Sequence, residues 1–255
     1  MIKKIYCLNL KLIQQIIATG LFCFSSSVSA QQIQTDRPNE TESPNTIFTH
    51  HLQVESGFSF EKPEGEKTYE IPEILLRYGI FKNAEFRIES AFAIDHHNEE
   101  DSRGIKPVTF GVKYHLIDHK GLVPDISLLG RVSIPWMADH SLQEQKYSPE
   151  IRLLAQYSVS KSAHLGYNLG AHWLSDTAKP EYIYTISGDY ALTKKIKLAA
   201  ELYGVTESHH HTQNTADVAV LYVLSKKVQL DFITGSGIMH ANSEKFAELG
   251  LSFKI

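Results

Sequence analysis

The last ten residues, Phe246 to Ile255, alternate strictly. Ala247, Leu249, Leu251, Phe253 and Ile255 share one face, and Phe246, Glu248, Gly250, Ser252 and Lys254 share the other. Side chains on a strand repeat with period two, so this pattern predicts a half-buried strand. Eleven earlier segments repeat it, with apolar faces that begin at Leu52, Ile74, Phe86, Val108, Ile126, Ile151, Leu165, Tyr182, Ile196, Ala216 and Val228. No charge falls on the apolar face of any segment. The opposite face carries Glu55, Arg77, Arg87, Glu89, Lys113, His115, Arg131, Arg152, Asp189, Glu201, Asp217 and Asp231. A charge facing lipid costs roughly 2–4 kcal/mol at the bilayer midplane, so lipid excludes it. A soluble sandwich would also hide an apolar face. Three further features favour the membrane.

The connections alternate in length. Phe81–Ala84, Asp118–Gly121, Ser160–Ser162, Thr193–Lys195 and Ser225–Lys227 read as tight turns. Between them fall longer polar stretches at 61–69, 95–106, 137–148, 174–179, 206–213 and 239–245. Outer-membrane barrels have short periplasmic turns and longer external loops. Aromatic residues gather at both ends of the strands, Tyr78, Tyr114, Tyr190 and Tyr222 at one and Phe58, Trp136, Trp173 and Tyr182 at the other. Two belts of amphipathic rings suit two membrane interfaces. Strands of about ten residues, tilted, cross a hydrocarbon core. Pro107, Pro124, Pro149 and Pro180 stand at strand starts, where a missing N–H costs least, and Pro72 falls near the outer rim of the second strand. The expected fold is all-β: a transmembrane antiparallel up-and-down barrel of about twelve strands over residues 51–255.

Residues 1–30 read as a signal peptide. Lys3, Lys4 and Lys11 precede the apolar run Ile16–Phe24, and Val28-Ser29-Ala30 offers small residues at a cleavage site. The run is too short to span a bilayer as a helix. Both cysteines, Cys7 and Cys23, lie there, so the chain from Gln31 on has no thiol for a disulfide, a nucleophile or a metal. Losing three lysines and no acid takes the net charge from −4 to −7. That balance, without a basic run, argues against nucleic acid as a partner. The expected partners are outer-membrane lipid and an unidentified small solute, in the bacterial outer membrane.

Candidate chemistry falls in four places. Glu73, Arg77, Arg87, Glu89, Lys113, Arg131, Glu150 and Arg152 are the expected lumen-lining groups. They read either as a ladder passing a polar solute or as ion pairs satisfying one another. Inward Leu75, Leu129, Leu154, Ile183, Leu221 and Ile233 interrupt them, as a constriction or as packing for a plug. Residues 31–50 are polar and turn-rich, and Asp36, Arg37 and Pro38 make them a plug candidate, with a disordered periplasmic tail as the alternative. His96-His97, His140, His209-His210-His211 and His240 fall in the external loops, where solvated polarity is a simpler reading than metal. His172 with Ser175 and Asp176 is the one arrangement that suggests a rim hydrolase, and it matches no familiar motif spacing. No cofactor, metal site or catalytic residue is expected.

Gln34-Thr35-Asp36-Arg37-Pro38, followed by Gln53-Val54-Glu55-Ser56-Gly57, resembles a large bacterial outer-membrane family labelled for a MetA pathway of phenol degradation, or simply as transporters. Leu76-Arg77-Tyr78-Gly79-Ile80, Phe110-Gly111-Val112-Lys113-Tyr114 and Leu249-Gly250-Leu251-Ser252-Phe253 carry the resemblance along the chain. It implies a barrel and uptake of small molecules, names no catalytic residue, and nothing in the lumen reading selects aromatics. The expected function is passive passage of a small solute. The alternatives are a barrel enzyme acting on envelope lipid and a sealed structural or receptor barrel.

Overall fold

The computed structural model describes residues 33–255 except 63–65, 98–99, 178, 208–211 and 239–244. The expected signal segment lies outside the described residues, as do His209 to His211 and His240. The strands are β1 (Leu52–Lys62), β2 (Glu66–Phe81), β3 (Ala84–His97), β4 (Glu100–Ile105), β5 (Val108–Ile117), β6 (Asp125–Ile134), β7 (Ser148–Ser158), β8 (Ala163–Trp173), β9 (Pro180–Ala191), β10 (Ile196–Glu207), β11 (Gln213–Ser225), β12 (Val228–Ile238) and β13 (Lys245–Lys254). Neighbours are antiparallel, and β1 pairs with both β2 and β13, from Gln53↔Lys254 to Lys62↔Lys245. β2 also pairs with β3, so the ring of strands closes on itself, which is what a β-structure in lipid requires.

The ring has twelve staves, and β4 is the departure from the expected strand set. The outer half of β3 pairs with β4, from Phe92↔Ile105 to His97↔Glu100, while its inner half pairs with β5. β4 and β5 are thus one stave, interrupted at Lys106-Pro107. There the Lys106 N–H donates to the Ala91 carbonyl at 2.8 Å, and Pro107 has no N–H to give. The sequence predicts a loop over 95–106 because Glu100-Asp101-Ser102-Arg103-Gly104 has no apolar face. Hydrogen-bond pairing continues past the lipid into water, where neither face needs to be apolar. The predicted loops at 61–69 and 206–213 are shortened for the same reason, since β1, β2 and β10 run on into them. Pro72 lies inside β2, at a bulge between Glu70 and Glu73 that spares it a ladder hydrogen bond. The 137–148 connection includes a single 3-10 turn at His140–Leu142.

The outside is apolar and exposed: Leu169, Val218 and Leu249 are each more than half exposed. The inside is ionic. Arg77, Arg87, Lys113, Glu55 and Glu85 are among the largest fully buried side chains. A small apolar patch of Ala199, Ala219, Leu221 and Ile233, with Phe246 against it, covers part of the wall on β10–β13. This polarity is inverted relative to a soluble core and marks a membrane-spanning barrel with a polar lumen.

Candidate functional site

Residues 33–50 form no helix or strand, so their backbone N–H and C=O groups need partners from elsewhere. The barrel interior supplies them. At the tight-turn end the Ile33 N–H donates to the Lys226 carbonyl at 2.9 Å. The Glu55 carboxylate then accepts from the N–H groups of Asp36 and Arg37 at 3.0 and 2.9 Å. Glu201, across the barrel on β10, accepts from the N–H groups of Glu40 and Thr41 at 3.0 and 2.8 Å. Asn168 on β8 makes a two-way bond with the Glu42 backbone, accepting at 2.8 Å and donating at 3.0 Å. The Thr41 hydroxyl donates to that of Thr185 at 2.7 Å. The chain returns to the tight-turn end as Ser127 donates to the Pro44 carbonyl at 2.5 Å and the Ile47 N–H donates to Glu85 at 2.8 Å. The His50 N–H finally meets the Gly79 carbonyl at 2.8 Å.

Asp36 is the electrostatic centre. One of its oxygens lies 2.6 Å from Lys113 Nζ and 3.1 Å from both Arg77 Nη1 and Arg87 Nη1. Its other oxygen accepts from the Ser43 hydroxyl at 3.1 Å. Burial pushes the Asp36 carboxyl up, but Arg77, Lys113 and Arg87 outweigh it and hold the group below its ordinary value. Glu42 bonds Arg87 directly and lies 3.3 Å from Lys113. Burial opposes its charge too, and Arg87, Lys113, Arg131 and Arg152 together hold it well below its ordinary value. Arg77 is shared with Glu55 at 2.8 Å and Glu85 at 2.9 Å. Taking so many charges out of water is costly, and dense hydrogen bonding is what offsets it.

Arg37 turns the other way. It pairs with Glu73 at 2.5 Å and Glu248 at 3.0 Å, with Asp231 further off at 3.6 Å. Further toward the long-loop end, Arg131 bridges Glu150 at 2.9 Å and Glu89 at 3.2 Å. Arg152 pairs with Glu150 at 2.5 Å and with Glu40 at 2.6 Å. Among these pairs is a cavity of about 170 Å³. Glu73, Asp217 and Glu248 lie on one side, Arg87, Arg131 and Arg152 on the other together with Glu89, and residues 36–40 and Glu42 contribute to its lining. The structure therefore brings Glu73, Arg77, Arg87, Glu89, Lys113, Arg131, Glu150 and Arg152 into one network with Asp36 and Arg37, and Pro38 lines the cavity beside them. Leu75 and Ile233 are on the cavity wall, whereas Leu129 and Leu154 are fully buried away from it.

Sequence reasoning missed Glu42, Glu85, Asn168 and Thr185. Glu85 shares the parity of Arg87 and Glu89, so alternation marks it, but it falls beside the expected turn at Phe81–Ala84. Glu42 lies in a segment without periodicity and carries no such signal. The arrangement of His172 with Ser175 and Asp176 that the sequence offers is not formed. His172 pairs with Ser148 and Glu181, because cross-strand register sets its neighbours and residues 174–177 turn off into the loop. Of the loop histidines, His96 pairs with Asp101 at 2.7 Å in the β3–β4 hairpin. Among the described residues, the group with ligand atoms close enough for a cation is His115, Asp118 and Asp125, within 4.8 Å of one another at the β5–β6 turn.

A family model described as "Putative MetA-pathway of phenol degradation" matches residues 35–255. No curated protein matches the sequence. Among solved structures, the chain is similar to an outer membrane channel from Pseudomonas putida F1, with a TM-score of 0.63 at 12% identity over 86% of this chain and 99% of that one. It is also similar to the KdgM porin, with a TM-score of 0.55 at 14% identity over 78% and 98% of the two chains. The NanC porin gives a TM-score of 0.55 at 10% identity over 79% and 100%. These likenesses are of fold. Together with the uncharged outer face, that fold places the chain in the bacterial outer membrane.

Proposed function

The chain belongs to the family described for the MetA pathway of phenol degradation, and we propose that it acts as an outer-membrane channel for small polar solutes, closed and opened by residues 33–50. The observation that carries this reading is the composition of the cavity lining. Asp36 to Glu40 and Glu42 are part of it, so the cavity is bounded partly by a peptide held by hydrogen bonds and ion pairs. Such a peptide can leave as a unit, whereas the barrel wall cannot. Opposed charges on the cavity wall suit a polar or ionised solute, which each side orients by one end. Tyr203 and Phe246 are the aromatic rings on that wall and give a planar solute a surface to slide against.

The test is single-channel current in a planar bilayer, with the chain from Gln31 and with a variant lacking residues 31–50. Under this reading the truncated barrel conducts steadily and the intact one conducts less, in bursts. Silence in both would contradict it and favour a sealed barrel, a reading supported by the three cations around Asp36.

A further inference from the structure

Ser148, His172 and Glu181 stand in a row across three neighbouring staves, β7, β8 and β9. His172 Nε2 lies 2.7 Å from the Ser148 hydroxyl oxygen, and His172 Nδ1 lies 2.8 Å from Glu181 Oε1. All three side chains face the lumen, at the strand ends next to the long connections. Register places His172 directly opposite Glu150 on one side and Glu181 on the other. Glu150 is held by Arg131 and Arg152, which leaves Glu181 as the carboxylate for the imidazole. The His172 and Glu181 side chains are 26% and 16% exposed and Ser148 is 6% exposed, so solvent meets the row mainly at His172 and Glu181.

We propose that these residues form a hydrolytic site for small carboxylic esters that enter the outer mouth of the barrel. In the reactive arrangement His172 donates Nδ1–H to Glu181 and accepts the Ser148 hydroxyl hydrogen at Nε2. Ser148 Oγ attacks the ester carbonyl carbon as its proton passes to Nε2. The tetrahedral adduct collapses, the C–O bond to the alcohol breaks, and Nε2 returns the proton to the departing alkoxide. Water then repeats the sequence on the acyl-serine and releases the carboxylic acid. Each step conserves atoms and charge and needs no co-reactant but water. Ser148 and His172 are the catalytic residues, and Glu181 is a positioning residue that fixes the tautomer and balances the imidazolium. The Trp173 carbonyl, 2.8 Å from the Ser148 hydroxyl, competes for the same hydrogen. The relay is armed only when that hydrogen turns to His172.

The test uses the chain from Gln31, refolded in detergent, with a fluorophosphonate as the probe and p-nitrophenyl acetate and butyrate as substrates. Peptide mass analysis of the unsubstituted protein is expected to find one phosphonyl adduct, on Ser148. His172→Ala is expected to slow that labelling at least tenfold, and Ser148→Ala to abolish ester turnover. Glu181→Gln is expected to lower kcat at least tenfold with little change in KM, and Glu181→Asp to recover part of it. Heat-dependent gel mobility checks that each variant is folded, and the labelling of the unsubstituted protein needs no variant. Absence of an adduct on Ser148, labelling that is unchanged in His172→Ala, or turnover that survives Ser148→Ala would each overturn the proposal.

Discussion

The Arg37 guanidinium packs onto Gly57, where a Cβ would fall 2.5 Å from its Cζ. Gly57 pairs with Gly250 across the β1–β13 seam, so the closing seam of the barrel is flat at this level and the guanidinium lies against it. From there it reaches Glu73 on one side and Glu248 on the other. Replacing Gly57 with Val would displace Arg37 from both carboxylates without touching either. The expected result is a more mobile N-terminal segment and a higher open fraction in single-channel records. A spin label at Asn39 should report the mobility, and unchanged spectra would show that Arg37 does not anchor the segment.

Lys113 is fully buried and shares Asp36 with two arginines. Removing one partner of such a buried ion cluster strands the others and costs about 3–5 kcal/mol. Lys113→Met should therefore destabilise the intact chain by about that much in urea unfolding from lipid vesicles. In the variant lacking residues 31–50, Asp36 is gone and the same substitution should cost distinctly less. Equal costs in the two backgrounds would mean that Lys113 serves the wall alone.

Acid should loosen the segment. Asp36 and Glu42 sit below their ordinary values of 3.8 and 4.5, so their ion pairs contribute fully above those values. That contribution is lost as pH falls through the lower values held in the folded state. Current is expected to rise in a step below about pH 4, and the step should vanish in the Asp36→Asn, Glu42→Gln double variant. A step that persists in the double variant would have to come from other carboxylates.

Both signs of charge line the cavity, and ion selectivity should depend on each. Arg131→Gln with Arg152→Gln is expected to shift the reversal potential in a salt gradient toward cations. Glu73→Gln with Glu248→Gln is expected to shift it toward anions. Because Arg37 loses both its close partners in the second pair, that variant should also open more often. Selectivity unchanged in both would place the conducting path elsewhere.

Lipid is what made the fold legible. An uncharged face repeated along the chain left few alternatives, and the same exclusion predicts that Leu169→Arg, at an exposed mid-strand site on β8, costs roughly 2–4 kcal/mol. Where lipid stops, the signal stops. Glu100 to Gly104 pair as a strand without any apolar position, so alternation did not mark β4. Within the lumen, parity indicates which side chains point inward but not what they hold. Glu55, Glu85 and Glu201 accept backbone N–H groups from residues 36–47, a role no spacing encodes. Glu42 belongs to a segment whose shape is imposed by the wall, so its place is set by long-range contacts and not by its neighbours in sequence. The partners of His172 were out of reach for a similar reason: they lie on β7 and β9, whereas the sequence offered only the adjacent Ser175 and Asp176.

The most direct test of gating by the N-terminal segment uses the absence of cysteine after residue 30. The Thr41 and Thr185 hydroxyls lie 2.7 Å apart, one on the segment and one on β9. A Thr41→Cys, Thr185→Cys variant can be oxidised to lock the segment in place and reduced to free it, within a single bilayer recording. The account predicts low, steady current under oxidation and a reversible rise on reduction, approaching that of the barrel without residues 31–50. Identical current in the two redox states, with the disulfide verified by mass, would show that the segment does not gate the lumen.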